Sequence, residues 1–109
     1  MEKVVYLKLV NMIRATKVKD IIYIDASKNY VYIHLKTGEV LKKVSTLYKI
    51  LIELNNYGEL VRIRRNCIIN IANIIEIDKG KVKMVNSEFD FEISKKGYGV
   101  LKKKLDVIG

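Results

Sequence analysis

Chemistry in this chain is offered by few residue types, and the scarcest ones restrict it most. There is one cysteine, Cys67, and one histidine, His34, so a Cys–His nucleophile pair is the only thiol-based arrangement available. Such a pair needs a lowered thiol pKa and a third group to orient the imidazole. Arginines near Cys67 could serve the first need, but nothing identifiable serves the second. A strand histidine and a small buried thiol describe the two residues better. Paired carboxylates for general acid–base work are the next option. Asp20, Asp25, Glu76, Asp78, Asp90 and Glu92 are scattered over strand ends, turns and polar strand faces. One Cys and one His cannot assemble a usual zinc site, and Gly97-Tyr98-Gly99 is too short to cradle a phosphate. No enzymatic activity, cofactor or metal is expected.

The basic residues are more informative because they cluster. Three of four arginines fall within Arg62, Arg64 and Arg65, at the end of an apolar alternation. Arginine presents a planar fork that matches phosphate and pairs bidentately with guanine O6 and N7 in a major groove. On Val61-Arg62-Ile63-Arg64 the two arginines share the outward face, while Arg65 begins the following bend. Ser27-Lys28-Asn29, between two hydrophobic strands, is a second polar loop, whose asparagine suits a turn or an adenine edge. Ser94-Lys95-Lys96, at the expected start of a helix, is a third. Any one of these is ordinary for a solvated turn. Three basic loops on a strand scaffold suggest a nucleic-acid surface.

The elements that must position these loops follow from periodicity. With 109 residues, half hydrophobic and 30% charged, the chain reads as one domain spanning residues 1–109, with enough core to fold without staples. Its net charge of +9 points to a polyanionic partner. No run approaches the roughly 20 apolar residues of a membrane helix, and the N-terminus lacks the pattern of a secretory signal. The expectation is a soluble, cytoplasmic, basic domain with no membrane insertion. Residues 3–9, 12–17, 20–26, 30–36 and 39–44 read as strands, with a hairpin turn at Thr37-Gly38. The period then changes. Leu47, Ile50, Leu51 and Leu54 form one helical stripe over about 46–55, with Ser45 or Thr46 as N-cap and Asn55-Asn56-Tyr57-Gly58 as the stop. Strand patterning resumes at 60–63 and runs from Ile68 through Ile77. Lys79-Gly80 turns into 81–84, Asn86-Ser87 turns again, and Phe89, Phe91 and Ile93 share a face. A short helix over about 95–105 closes the chain, weakened in its first turn by Gly97 and Gly99.

This order of elements, with the residues at their junctions, resembles the LytTR family of bacterial DNA-binding domains. The resemblance rests on Asp20-Ile21-Ile22-Tyr23-Ile24-Asp25-Ala26, on Asn29-Tyr30-Val31-Tyr32-Ile33-His34 and on the helix from Ser45 to Leu54. Above all it rests on Leu60-Val61-Arg62-Ile63-Arg64-Arg65-Asn66-Cys67-Ile68-Ile69-Asn70. Asn86 and Ile93-Ser94-Lys95-Lys96 complete the pattern, which covers the chain from about residue 12 onward.

What the resemblance implies is a mainly β, elongated arrangement of small antiparallel sheets and hairpins with one central and one short C-terminal helix. It also implies a transcriptional regulator that binds double-stranded DNA sequence-specifically, through loops in successive major grooves. By motif, the base-contacting positions are Asn29, Arg65 and Lys96. Lys28, Tyr30, Arg64, Asn66, Ser94 and Lys95 flank them as phosphate-contacting positions, and Asn70 reads as structural. Relatives bind direct repeats, so two copies on DNA are expected, whatever the solution oligomer. Many carry a response-regulator receiver domain upstream, for which this chain has no room, so it is a stand-alone regulator or an excised domain. A stand-alone member implies control by expression level or by a regulatory partner protein, such as a membrane-bound inhibitor. The chain departs from the family pattern at Arg64, usually histidine, at Asn66, usually serine, at Cys67, usually aromatic, and at Asn86-Ser87, which lacks the usual glycine. Two other classes compete with this reading. One is an RNA or single-strand binder that stacks bases on Tyr30 and Tyr32; the other is a basic protein-interaction module.

Overall fold

The structure, a computed structural model, describes residues 3–57 and 59–109. It is mainly β. Strands β1 (Val4–Lys8) and β2 (Ile13–Lys17) form an antiparallel hairpin of their own. Strands β3 (Ile21–Ser27), β4 (Tyr30–Leu35), β5 (Val40–Val44), β6 (Leu60–Arg64) and β7 (Cys67–Asn70) make a five-stranded antiparallel sheet in the order β5-β4-β3-β7-β6. Strands β8 (Ile74–Asp78), β9 (Lys81–Met84) and β10 (Phe91–Glu92) make a three-stranded one. Helix α1 (Leu47–Leu54) joins β5 to β6, and helix α2 (Lys95–Lys104) ends the chain.

The five-stranded sheet is buried on both faces. Ile24, Val31, Ile33, Leu41 and Ile68 pack with Leu47, Ile50 and Leu54 of α1 and with Val5 and Leu7 of β1. Ile22, Val61, Ile63, Cys67 and Ile69 pack with Val82, Met84, Phe91 and Leu101 on the other side. A bulge in β3, between Ile21 and Tyr23, lets the isoleucine run serve both cores, with Ile21 and Ile24 on one side and Ile22 on the other.

The helix stripe at Leu47, Ile50 and Leu54 is buried as its period requires, and Thr46 is the N-cap, its hydroxyl accepting from Lys49 N–H at 3.2 Å. Gly58, in the expected helix stop, lies outside the described residues.

Two expectations are corrected. The strand read from Ile68 through Ile77 is broken, since β7 stops at Asn70 and a 3-10 turn over Ile71–Asn73 leads into β8 in the other sheet. Two buried asparagines make that break. Asn70 Nδ2 donates to the carbonyls of Val18 and Ile21, both at 3.0 Å, while its Oδ1 accepts from Ala72 N–H. Asn73 Nδ2 donates to Lys19 and Ile21 carbonyls. The structural role read for Asn70 is the one it has. Phe89 lies outside the strand that holds Phe91, although the two rings stay together with centroids 4.8 Å apart. It is exposed in a bend held by Ser87, whose Oγ donates to the Phe89 carbonyl at 2.9 Å, whereas Phe91 is buried in β10.

Candidate nucleic-acid interface

Two hairpin turns leave the same end of the five-stranded sheet. Ser27 pairs with Tyr30, so Lys28 and Asn29 are the two-residue turn from β3 to β4. Arg64 pairs with Cys67, so Arg65 and Asn66 are the turn from β6 to β7. Strands β3 and β7 are hydrogen-bonded neighbours, antiparallel with Asp25 opposite Cys67. Continued along both strands, this register puts Ser27 level with Arg65. Neighbouring strands lie ~4.8 Å apart, so the turns carrying Asn29 and Arg65 are side by side. Lys28 adopts φ 58°, the left-handed conformation that two-residue hairpins demand. Lys28, Asn29, Arg64, Arg65 and Asn66 are all exposed.

The third loop is tied to the second by its cap. Ser94 N–H and Ser94 Oγ both donate to the Ile63 carbonyl, at 3.1 and 3.0 Å, and the same Oγ accepts from Gly97 N–H at 3.0 Å. Ile63 immediately precedes Arg64, so α2 begins beside the Arg65 turn, with Lys95 and Lys96 exposed in its first turn. Gly97 makes this approach possible. A Cβ there would meet the Ile63 backbone, 2.7 Å from its carbonyl carbon. The residue read as a weakness of the helix is thus the contact through which the helix docks. Its signal in the sequence was a glycine three residues after a serine cap, where a helix otherwise disfavours it.

Of the nine site residues read from sequence, Lys28, Asn29, Arg65 and Asn66 form the two turns, Arg64 ends β6, Tyr30 begins β4, and Ser94, Lys95 and Lys96 are the cap and first turn of α2. The Tyr30 ring is half-buried, with Lys42 Nζ 4.1 Å above its centre. The Ser94 hydroxyl proton is committed to Ile63, so within this geometry the residue acts by holding Lys95 and Lys96 in place. The first N–H groups of α2 lie at the same point, and a helix N-terminus favours anions.

Arg62 has a role that sequence reasoning missed. Its Nε and Nη2 both donate to the Arg65 carbonyl, the former at 3.1 Å, which ties the turn back onto its own strand. Two arginines spaced three apart across a hairpin bend were the available signal.

Cys67 and His34 are each engaged elsewhere. His34 Nε2 is 2.9 Å from Asp25 Oδ1, and its ring stacks on Tyr23 with centroids 3.9 Å apart. Burial pushes the Cys67 thiol up to about 12, against a smaller opposing effect of Arg64. Such a thiol is a core side chain beneath the Arg65 turn. Asn86 adopts φ 56°, which asparagine tolerates, and its Nδ2 donates to the Lys36 carbonyl. Among the described residues, no group of three or more His, Cys, Asp or Glu side chains is placed to hold a metal ion, and no helix is long and apolar enough to cross a membrane.

Comparison with known proteins agrees with this architecture. The sequence model of the LytTr DNA-binding domain family matches residues 11–106. Among solved structures, the chain is similar to the LytTr DNA-binding domain of a Bacillus cereus protein described as a methyl-accepting/DNA response regulator. That match has a TM-score of 0.70 and 19% identity, and covers 93% of this chain and 94% of the other. No match was found among curated proteins.

Proposed function

Since this chain belongs to the LytTR family of DNA-binding domains, a family of DNA binders in transcription regulation and not an enzyme class, we propose that it reads duplex DNA sequence-specifically through three loops. Asn29, Arg65 and Lys96 contact bases in successive major grooves. Arg65 is the guanine reader, by bidentate pairing to O6 and N7. Asn29 suits an adenine edge, and Lys96 donates as a point charge. Lys28, Tyr30, Arg64, Asn66 and Lys95 contact phosphates, and Ser94 contributes through the α2 terminus it caps. The protein acts in the cytoplasm, and two copies occupy a direct repeat, one domain to each.

One observation carries this reading: the Asn29 and Arg65 turns share one end of a rigid sheet, and the Ser94–Ile63 contact brings Lys96 to it. A base reader needs such support, because a donor displaced by an ångström loses its bidentate geometry.

Selection of duplexes from a random pool by the purified protein is the test. A repeated motif is the expected outcome. An unenriched pool, or preferential capture of single strands or RNA through Tyr30 and Tyr32, would overturn the proposal.

A further inference from the structure

Beside the DNA-facing turn lies a groove of about 490 Å³, within the range of about 300–1,000 Å³ common for small-molecule sites. Strand β6 forms its floor and the two helices its walls. Leu60 and Val61 of β6, Leu51 of α1 and Val100 of α2 supply apolar lining, although Leu60 and Val61 are nearly inaccessible to solvent. Arg64, Arg65 and Lys96 stand at one end, and Lys104 lies one helical stretch away. The lining contains no Asp or Glu. Among the described residues, no ion pair engages Arg64, Arg65, Lys96 or Lys104. An apolar trough ending in unneutralised cations is complementary to one kind of molecule.

We propose that this groove binds a small amphiphilic acid, its apolar body against Leu51 and Val100 and its carboxylate on Arg64, Arg65 and Lys96, so that acid and DNA exclude each other. The carboxylate accepts from guanidinium forks that would otherwise face phosphate or guanine. The apolar body covers side chains that DNA, a polar ligand, would leave wet. Neither part suffices alone. A bare anion at exposed cations gains little in water and salt, and an uncharged apolar molecule leaves the cations without a partner. The exclusion of DNA rests on the function proposed above, whereas the binding of the acid does not.

The test uses the full chain and a homologous series of acetate, hexanoate, octanoate and decanoate, with 1-octanol as the headless control, at fixed ionic strength and below micelle formation. Binding is followed by calorimetry and amide chemical shifts. Saturable single-site binding is expected for the longer acids, tightening by up to about fourfold per added methylene. Acetate should not saturate, and 1-octanol should bind more weakly than octanoate. The shifts should centre on Leu51 and Val100. Val100→Ser, at a partly exposed position outside the DNA-contacting set, should weaken octanoate severalfold and leave duplex affinity unchanged. Affinity independent of chain length, acetate matching octanoate, or shifts centred elsewhere would overturn the site. Octanoate should also release a short mixed-sequence duplex at low salt, and failure to do so would overturn the shared use of the cations. If the duplex does not bind even without acid, the function proposed above fails while the chain-length series still decides this site.

Discussion

Arg62 and Arg65 carry the same charge but have different duties, which a pair of substitutions can separate. Arg65→Ala removes the proposed guanine reader and should narrow the gap between target and scrambled duplex by about 1–3 kcal/mol in competition titrations; an unchanged gap would reassign the reader. Arg62→Lys keeps the charge but loses the two-pronged grip on the Arg65 carbonyl. It should leave scrambled-duplex affinity nearly unaltered while lowering target affinity, and equal losses on both would show that Arg62 acts only through its charge. Beneath them, Cys67 supplies a pH signature. Its thiol is raised from an ordinary 9.0 to about 12 by burial, so between those values the unfolded chain has released a proton that the folded chain keeps. Folding stability therefore falls as pH rises through that window and is unaffected by this group below it. To isolate this one group, the measurement is the difference between wild type and Cys67→Ala in denaturant midpoint from pH 8.5 upward. The wild type should lose stability faster, and parallel curves would refute the assignment.

Helix α2 shows what an element demands of single positions. Gly97 and Gly99 look equivalent in sequence, and helix propensity alone predicts that alanine at either would stabilise by up to about 1 kcal/mol. The structure separates them, because a Cβ at 97 meets the Ile63 backbone while nothing lies within 4 Å of one at 99. Gly97→Ala should destabilise by about 1–3 kcal/mol, while Gly99→Ala should be neutral or stabilising. Thermal or urea unfolding of both variants decides it, and similar effects of the two would mean that α2 does not dock through Gly97. The same contrast marks where the sequence was legible. Period-two and period-3.6 patterns placed β4, β5, α1 and α2 because each buries one stripe against a partner, and apolar richness placed β3 and β6, which serve both cores. Two hairpin turns were readable from Thr37-Gly38 and Lys79-Gly80, and a turn of the chain from Asn86-Ser87. The break at Asn70 was not, since Ile68 to Ile77 is isoleucine-rich throughout and its asparagines do not say whether it lies in one sheet or crosses between two. Its cause is non-local, in the carbonyls of Val18, Lys19 and Ile21, some fifty positions away. Gly97 showed only as a glycine where a helix disfavours it, because the Ile63 backbone it meets is equally non-local, and the groove beside β6 emerges only when α1 and α2 are set on either side of that strand.

At the scale of the whole molecule, composition announces a charge of +9 but not where that charge acts. The fold gathers Lys28, Arg64, Arg65, Lys95 and Lys96 at or beside two neighbouring turns and the start of α2, where the proposed interface lies. Lys36 follows β4 at the far end of the same strand from Tyr30. At ~3.3 Å per residue it stands ~20 Å away, beyond the ~8 Å screening length at physiological salt. Duplex affinity should thus fall with salt at a log–log slope of about −0.9 for each phosphate neutralised. Lys95→Ala should make that slope shallower by about one such step and weaken target and scrambled duplex alike. Lys36→Ala, which lowers the net charge by the same amount, should change neither slope nor affinity. Binding isotherms over a salt series for the wild type and both variants distinguish a localised interface from a diffuse one. If the two lysines prove equivalent, the protein attracts DNA by its total charge, and the convergence of the three loops is not what binds it.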